Sequence, residues 1–422
     1  MADTRITPLE ITRKFLAVFH SNCILAKNLN HDYEKNFGSQ MGFDGQKIGP
    51  TLNIRDPIQA NVRSTWAMQQ QDITETYHTL TIDTVRGVDL KFSDADLALS
   101  IDDFVPRYIE SPAKKLAAVV DQYCATYMLN QIAHAAAVTA FAVPVTVDAY
   151  LGASAMLKDA LVPWEDGISV GISPTMERKI VGGLAGQYNP QMVISELFMK
   201  GQMSQAAGLD WYMSQIIPSI TVGTTLNSDT PLVGTFVAAS PAALPYTSST
   251  AGGTWAAGQT FTIADLYDVN FETKTPLANL KQFVVTTAYT DLGGGTGTLA
   301  ISPSIVFDTT SPVQNCYVAG GSINSKAMVL GCLDGVTSVP NTAASTVYQQ
   351  GLVWHKDAFA FASVPLIQPK GLDMASTVTV DNLSFRFLRG YDIANARMLS
   401  RMDIFFGIAA IRQQWAAKIW TI

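Results

Sequence analysis

The chain has 422 residues, of which 48% are hydrophobic and only 15% charged, and its formal net charge is −7. Soluble domains usually carry about 25% charged residues, so sparse charge points to surface buried against other subunits or to a large apolar core of the chain's own. Net negative charge without a basic run excludes a sequence-independent grip on nucleic acid, which needs clustered Lys and Arg against phosphates.

A length of 422 residues exceeds one core and predicts two or three structural units. The opening stretch, MADTRITPLEITRKFL, puts charges where a secretion signal needs apolar residues. Thr7-Pro8-Leu9-Glu10 reads as a capping box with proline at the first helical position. Ile11, Phe15, Val18, Phe19 and Leu25 follow at helical spacing, so the chain begins with an amphipathic arm.

From Gln46 to Leu99 the pattern changes to period two. Leu52 and Ile54, then Leu80 and Ile82, then Val88, Leu90 and Phe92 alternate with polar residues. These read as long β-ribbons, decorated by Arg55, Arg63 and Lys91. A two-stranded ribbon is marginal alone and needs something to lie against, here a neighbouring subunit.

Ser111-Pro112 opens a second helix, and Leu116, Val119, Val120, Tyr123, Tyr127 and Ile132 form its stripe. A run to Val138 predicts a helix roughly 35 to 40 Å long. The most apolar stretch, Ile132 to Val147, holds His134 and Pro144 and is too short to span a membrane. A soluble chain that starts its life in the cytoplasm is expected.

Asp148 to Leu161 reads as a helix ended by Pro163, Ile168 to Ile172 as a strand, Pro174 to Leu184 as a helix and Met192 to Ile194 as a short strand. Ser195 to Met203 and the stretch around Trp211 give no firm pattern. Near Thr221 the composition shifts to Thr, Ser, Gly, Pro and Val. Phe261 to Ile263, Gln282 to Thr287, Thr298 to Ser302 and Ile305 to Phe307 read as strands of an all-β unit, a small barrel of about 120 residues. The α/β pattern resumes at Leu352, which makes the β unit an insertion. Leu352 to Trp354, Ala358 to Ala362, the alternation Leu383, Phe385, Phe387, then Met402 to Ile411 and Ala416 to Trp420 complete the chain.

Little in the sequence points to chemistry. Gly293 to Gly297 has neither the spacing nor the following helix of a phosphate loop and reads as a hairpin turn. Asp94, Asp96, Asp102 and Asp103 read as solvated carboxylates near a helix start. His20, His31, His78, His134 and His355 are scattered, and Cys23, Cys124, Cys316 and Cys332 form no CxxC pair. They read as structural thiols; a Cys316–Cys332 bridge is geometrically open but unsupported in a reducing compartment. No catalytic, cofactor or metal site is expected. Arg397, Arg401 and Arg412 are available to meet carboxylates across an interface, against a background of ordinary surface charge.

Several stretches, taken in order, resemble the coat proteins of P22-like tailed bacteriophages. They begin with Asn28-Leu29-Asn30-His31-Asp32-Tyr33-Glu34, Lys47-Ile48-Gly49 and Leu52-Asn53-Ile54-Arg55. Leu80-Thr81-Ile82-Asp83, Arg86-Gly87-Val88-Asp89, Phe92-Ser93 and the run Leu97 to Phe104 with Pro112-Ala113 follow. In the insertion they include Trp255, Gly258, Phe261-Thr262-Ile263, Val269-Asn270, Gln282 to Thr286 and Ile301-Ser302-Pro303. His355 to Phe359 and Gly390-Tyr391-Asp392-Ile393 extend them.

The resemblance covers nearly the whole chain and implies an α+β, HK97-type major capsid protein fold. It comprises an N-arm, an E-loop, a P-domain with a spine helix, and an A-domain interrupted by an inserted all-β barrel (I-domain). The implied layout is an N-terminal arm at 1–45, an extended loop at 46–99, a peripheral domain at 100–147 and axial domain at 148–220 and 348–380. The barrel falls at 221–347 and the C-terminal strands of the peripheral domain at 381–422. The implied function is self-assembly as hexamers and pentamers into an icosahedral head enclosing packaged dsDNA, with no sequence-specific DNA binding. Implied partners are further copies of the chain, a scaffolding protein and a portal protein at one vertex, with room for a decoration protein and none for a membrane. Asp3 and Glu10 are the implied scaffold contacts, although Arg5, Arg13 and Lys14 add positive charge to the same helix. Arg55, Arg63, Arg397 and Arg401 complete the assembly candidates. Two rivals compete: a phage tail or surface protein whose β-domain binds host glycan, and a hydrolase-like α/β enzyme with an inserted β-domain.

Overall fold

The computed structural model describes residues 8–33, 49–60, 62–63, 65–68, 70, 75–93, 110–136, 147–163, 167–184, 205–206, 208–225, 231–235, 243–248, 252–291, 295–309, 311–334, 337–340, 347–369, 371–372, 374–380, 383–395 and 397–421. They divide into two units, each assembled from separate stretches of chain.

The first unit comprises Met1–Arg55, Tyr77–Cys124 and Phe359–Ile411. Helix α1, Pro8–Asn22, starts at the proline the sequence marks. Thr12, Phe15, Leu16 and Phe19 are buried at helical spacing, and Arg13, Lys14, Ala17 and Ser21 are exposed. Phe15 and Phe19 meet Phe385 edge-on, with centroids 5.5 and 4.5 Å apart. Phe385 belongs to Leu383–Asp392, which pairs antiparallel with Arg397–Ala410 over eight residues. Met374–Val380 flanks this hairpin on one side, and Thr84–Ser93 and Phe359–Ser363 share its other side. The Val88, Leu90, Phe92 alternation therefore belongs to a five-stranded sheet and not to a free ribbon.

The ribbon itself is shorter: Thr51–Arg55 against Tyr77–Thr81, five residues a side. Its inward residues Ile54 and Leu80, with Ile82, pack on Ala360, Ala362, Ala409 and Ile411. Small side chains and Gly407 let the backbones approach closely. A Cβ on Gly407 would overlap the Thr81 carbonyl oxygen at 2.0 Å, so no other residue fits there.

The expected long second helix is present as α2, Ser111–Gln131. It ends seven residues before Val138, because His134–Ala136 joins a sheet as a strand. Backbone ladder bonds outweigh the helical propensity of the alanines there. Ser111–Cys124 belongs to the first unit and Ala125–Gln131 to the second.

The second unit comprises Asp56–Thr76, Ala125–Ala358 and Arg412–Ile422. Helices α3, Val147–Asp159, and α4, Pro174–Leu184, form where the sequence places them. The strand Ile168–Ile172 lies between Leu209–Met213, which is parallel to it, and Val347–Trp354, which is antiparallel. Val347–Trp354 pairs next with Ala416–Thr421, and that strand with His134–Ala136. The last strand of the chain thus closes the sheet that the long excursion interrupts.

His134–Ala136 also touches Met328–Asp334 through the pair Ala136 and Leu333. The ladder then continues through Thr260–Val269, Pro276–Val285, Thr296–Ser302, Ala243–Thr247 and Leu232–Val233. Val233 N donates to Lys326 O at 2.9 Å and Met328 N to Pro231 O at 2.8 Å, so the order returns to its start. Tyr246, Trp255, Phe261, Phe283, Leu299 and Ile301 fill the interior. The strands around Phe261, Gln282 and Thr298 form as the alternation predicts. Ile305–Phe307 is irregular backbone instead, held by Val306 N on the Asn315 side chain at 3.0 Å. Met192–Ile194, Ser195–Met203, Gly293, Gly294 and the carboxylates Asp94, Asp96, Asp102 and Asp103 lie outside the described residues. Gly295 does take the left-handed conformation of a turn, at φ +65°.

Candidate assembly surfaces and their buried polar supports

A buried carboxylate holds the segment that follows α1. Asp121, fully buried on α2, accepts from Ile24 N at 2.6 Å, Leu25 N at 3.2 Å, Ala26 N at 3.0 Å and Cys23 Sγ at 3.0 Å. The three amides open the short 3-10 helix Ala26–Asn28, where free N–H groups favour an anion. Sequence spacing hides this contact, since 95 to 98 residues separate the partners.

A second buried carboxylate, Asp403, sits within the five-stranded sheet. It receives Arg386 Nη2 at 2.6 Å and Arg401 Nε at 2.7 and 2.9 Å. Gly87 faces it across the ladder, where a Cβ would stand 2.5 Å from its Oδ1. Glycine here is room for a carboxylate. Arg401 also lies 3.7 Å from exposed Asp89. Arg397 binds Asp392 at 2.9 Å, and hydrogen bonds from Asn395 and Arg397 hold Asp392 below the usual carboxylate range.

The remaining arginine candidates differ. Arg55 is exposed at the end of its ribbon strand. Arg63 Nη1 lies 3.1, 2.8 and 3.0 Å from the carbonyls of Thr65, Trp66 and Ala67, curling the loop around itself. That loop presents Ile58, Val62, Trp66 and Met68 outward, with Trp66 wholly exposed. Such apolar exposure marks an interaction surface. The sequence reading singled out the arginine and missed its apolar neighbours. Asp3 lies outside the described residues; Glu10 lies on α1, with no description of its side chain.

In the second unit, buried polar groups tie distant segments. Lys418 is fully buried and donates to Leu129 O at 3.2 Å and to Gly258 O. It places a cation at the C-terminal turn of α2, where carbonyls lack helical partners. Gln282 bonds both the amide and the carbonyl of Ala135, at 3.0 and 2.8 Å, and so acts as a surrogate strand. Beside it, a cleft of about 100 Å³ is lined by His134, Lys281, Asp268, Met156, Phe271 and Asn315, among others. Lys281 pairs with Asp268 at 2.8 Å. Burial, with the Lys281 ammonium next, pushes His134 down to about 4, so the ring is neutral at pH 7. These groups can hold segments together; among the described residues no cluster of three His, Cys, Asp or Glu could hold a metal ion. Nor is any helix among the described residues long and apolar enough to cross a membrane.

Comparison with known proteins covers almost the full chain. A family model described as P22 coat protein, gene protein 5, matches residues 10–416. The chain is similar to a solved structure from Mycobacterium phage Che8, at 11% identity and a TM-score of 0.47, over 94% of this chain and 90% of that one. It is similar to the capsid of cyanophage P-SCSP1u at 12% identity and a TM-score of 0.45, over 89% and 84%. The capsid of Ralstonia phage GP4 gives 8% identity and a TM-score of 0.42, over 89% and 84%. No curated protein sequence matches.

Proposed function

The chain belongs to the P22 coat protein family, and from that premise we propose how its surfaces build and maintain the icosahedral head of which it is the major capsid protein. The match over residues 10–416 carries the function. The protein is a virion component that associates with copies of itself.

We read the exposed apolar loop around Trp66 and the ribbon Thr51–Arg55/Tyr77–Thr81 as surface laid on a neighbouring copy in hexamers and pentamers. Each contact is modest, and closure into a shell makes them collectively strong. Arg55, Arg63, Arg397 and Arg401 serve this assembly, the last two from one strand already braced by Asp392 and Asp403. The outward face of α1 takes the scaffolding protein. Exposed Arg13 and Lys14 on that face, with Asp3 and Glu10 as the acidic candidates from the sequence, suit a partner of mixed charge.

The layout proposed is the HK97-type one, with an arm at 1–45, an extended loop at 46–99 and a peripheral domain at 100–147 and 381–422. An axial domain at 148–220 and 348–380 carries the inserted barrel at 221–347. The strand order that returns from Leu232–Val233 to Met328 supports the barrel reading. We further propose a purely structural role without catalysis, assembly in the host cytoplasm, a portal at one vertex and dsDNA enclosed without sequence-specific contacts. A net charge of −7 suits containment without adhesion.

Electron microscopy of the chain expressed with and without its scaffold gene tests this reading. Closed shells are expected with the scaffold. A solitary, monodisperse chain at high concentration beside the scaffold would sink it.

A further inference from the structure

Two of the cysteines share one small region of the first unit. Cys23 follows α1, and its amide still donates to Phe19 O at 2.9 Å. Its thiol reaches Asp121 Oδ1 at 3.0 Å. Cys124 stands one helical turn beyond Asp121, on the same face of α2. Both thiols are buried and free. The same carboxylate grips Ile24, Leu25 and Ala26, so residues 23–26 are pressed on the face of α2 that carries both Asp121 and Cys124.

We propose that Cys23 and Cys124 are a guarded dithiol, able to close into a disulfide that fastens the N-terminal arm to α2. The guard is physical. Burial raises both thiols, Cys23 well above its ordinary value, and the Asp121 charge opposes either thiolate further. With the arm seated, the pair stays reduced and unreactive. When residues 23–26 lift, the Cys23 thiol meets solvent and leaves the Asp121 carboxylate, and the face of α2 that carries Cys124 is uncovered.

A small-molecule disulfide then serves as oxidant. One cysteine thiolate attacks it, forming a mixed disulfide and releasing one thiol of the reagent. The second cysteine thiolate attacks the mixed disulfide at the protein sulfur and releases the other. Two protons and two electrons leave the protein, and the reagent's S–S bond becomes two thiols. A particle that leaves a reducing cell for an oxidising medium passes through conditions that favour this step.

The test treats the full-length chain with oxidised glutathione under native conditions, then denatures it, alkylates the remaining thiols and maps peptides by mass. The expected product is a single linked peptide pair containing Cys23 and Cys124 of one chain, with Cys316 and Cys332 alkylated. Exchange of the Ile24–Ala26 amides should slow at least tenfold in the oxidised form. Full alkylation of all four cysteines would overturn the proposal, as would glutathione adducts on Cys23 or Cys124 without a cross-link, or links confined to Cys316 and Cys332. In Asp121→Asn the cross-link should form several-fold faster; an unchanged rate would remove Asp121 as the guard. The mapping on the unaltered chain stands even if that variant fails to fold.

Discussion

The two units solve one problem with opposite charges. In the first, the arm and α2 are far apart in sequence and are joined by a buried anion, Asp121, which collects N–H donors. In the second, α2's last turn, the strand Ala416–Thr421 and the Gly258 turn are joined by a buried cation, Lys418, which collects carbonyls. Each is satisfied by backbone that the fold would otherwise strand, at the N-terminus of one helix and the C-terminus of another. A buried charge of this kind holds two segments in one register, because a shift of either leaves donors or acceptors without partners.

The strongest way to break this symmetry is Asp121→Ala. It strands three backbone donors, two of them buried, and should cost about 3 to 5 kcal/mol. Denaturant titration reads the loss, and amide exchange should localise it to residues 24–26. Uniform loosening across both units would show that the arm is not separately anchored.

Acid should act on the second unit through His134. His134 is held near 4 in the folded chain against about 6.5 unfolded. Between these values the unfolded chain binds more protons, so stability rises with pH through this window. It is fully present above about pH 6.5 and falls by up to about 3 kcal/mol as pH drops to about 4. His134→Gln should flatten that part of the stability profile. A profile unchanged by the substitution would assign the acid sensitivity elsewhere.

Lys418→Met comes next, at about 2 kcal/mol. The methylenes are replaced, but the Leu129 and Gly258 carbonyls lose their donor. The loss should be smaller than at Asp121 because two carbonyls lose a donor where Asp121 leaves three amides without an acceptor, and methionine keeps most of the packing. A stabilised variant would mean that this charge fixes register at a net cost to stability.

How much of this was legible beforehand depends on range. Period-2 and period-3.6 patterns gave the Leu383, Phe385, Phe387 strand, Ile168–Ile172 and Pro174–Leu184, because burial on one face leaves its mark within a few residues. The end of α2 was not legible. Ala135 and Ala136 suit a helix, and distant partners make them a strand, chiefly Ala416–Thr421 some 280 residues on. Nor was Asp121 legible. An aspartate among Val120 and Gln122 carries no local sign that residues 23–26 will need an acceptor. Arg397 and Arg401 were visible as charges; the bracing of Arg397 by Asp392 follows from hairpin register, while Arg401 and Asp403 are neighbours on one face of a single strand.

The smallest effect on folding should come from the residue with the largest effect on assembly. Trp66 touches so little of its own chain that Trp66→Ser should shift unfolding by no more than about 0.5 kcal/mol. Its neighbours Ile58, Val62 and Met68 are exposed with it, and Arg63 holds the loop's carbonyls, so the loop keeps its curl without the indole. Exposed tryptophan that becomes buried at an interface is a frequent hot spot, worth about 2 kcal/mol or more per contact. Repeated at every copy of a closed shell, a loss of that size raises the concentration needed for assembly many-fold. The chain should remain folded and fail to close, read by circular dichroism beside sedimentation. Shells that form at the unaltered threshold would move the apolar contact away from this loop and leave the ribbon strands to account for it.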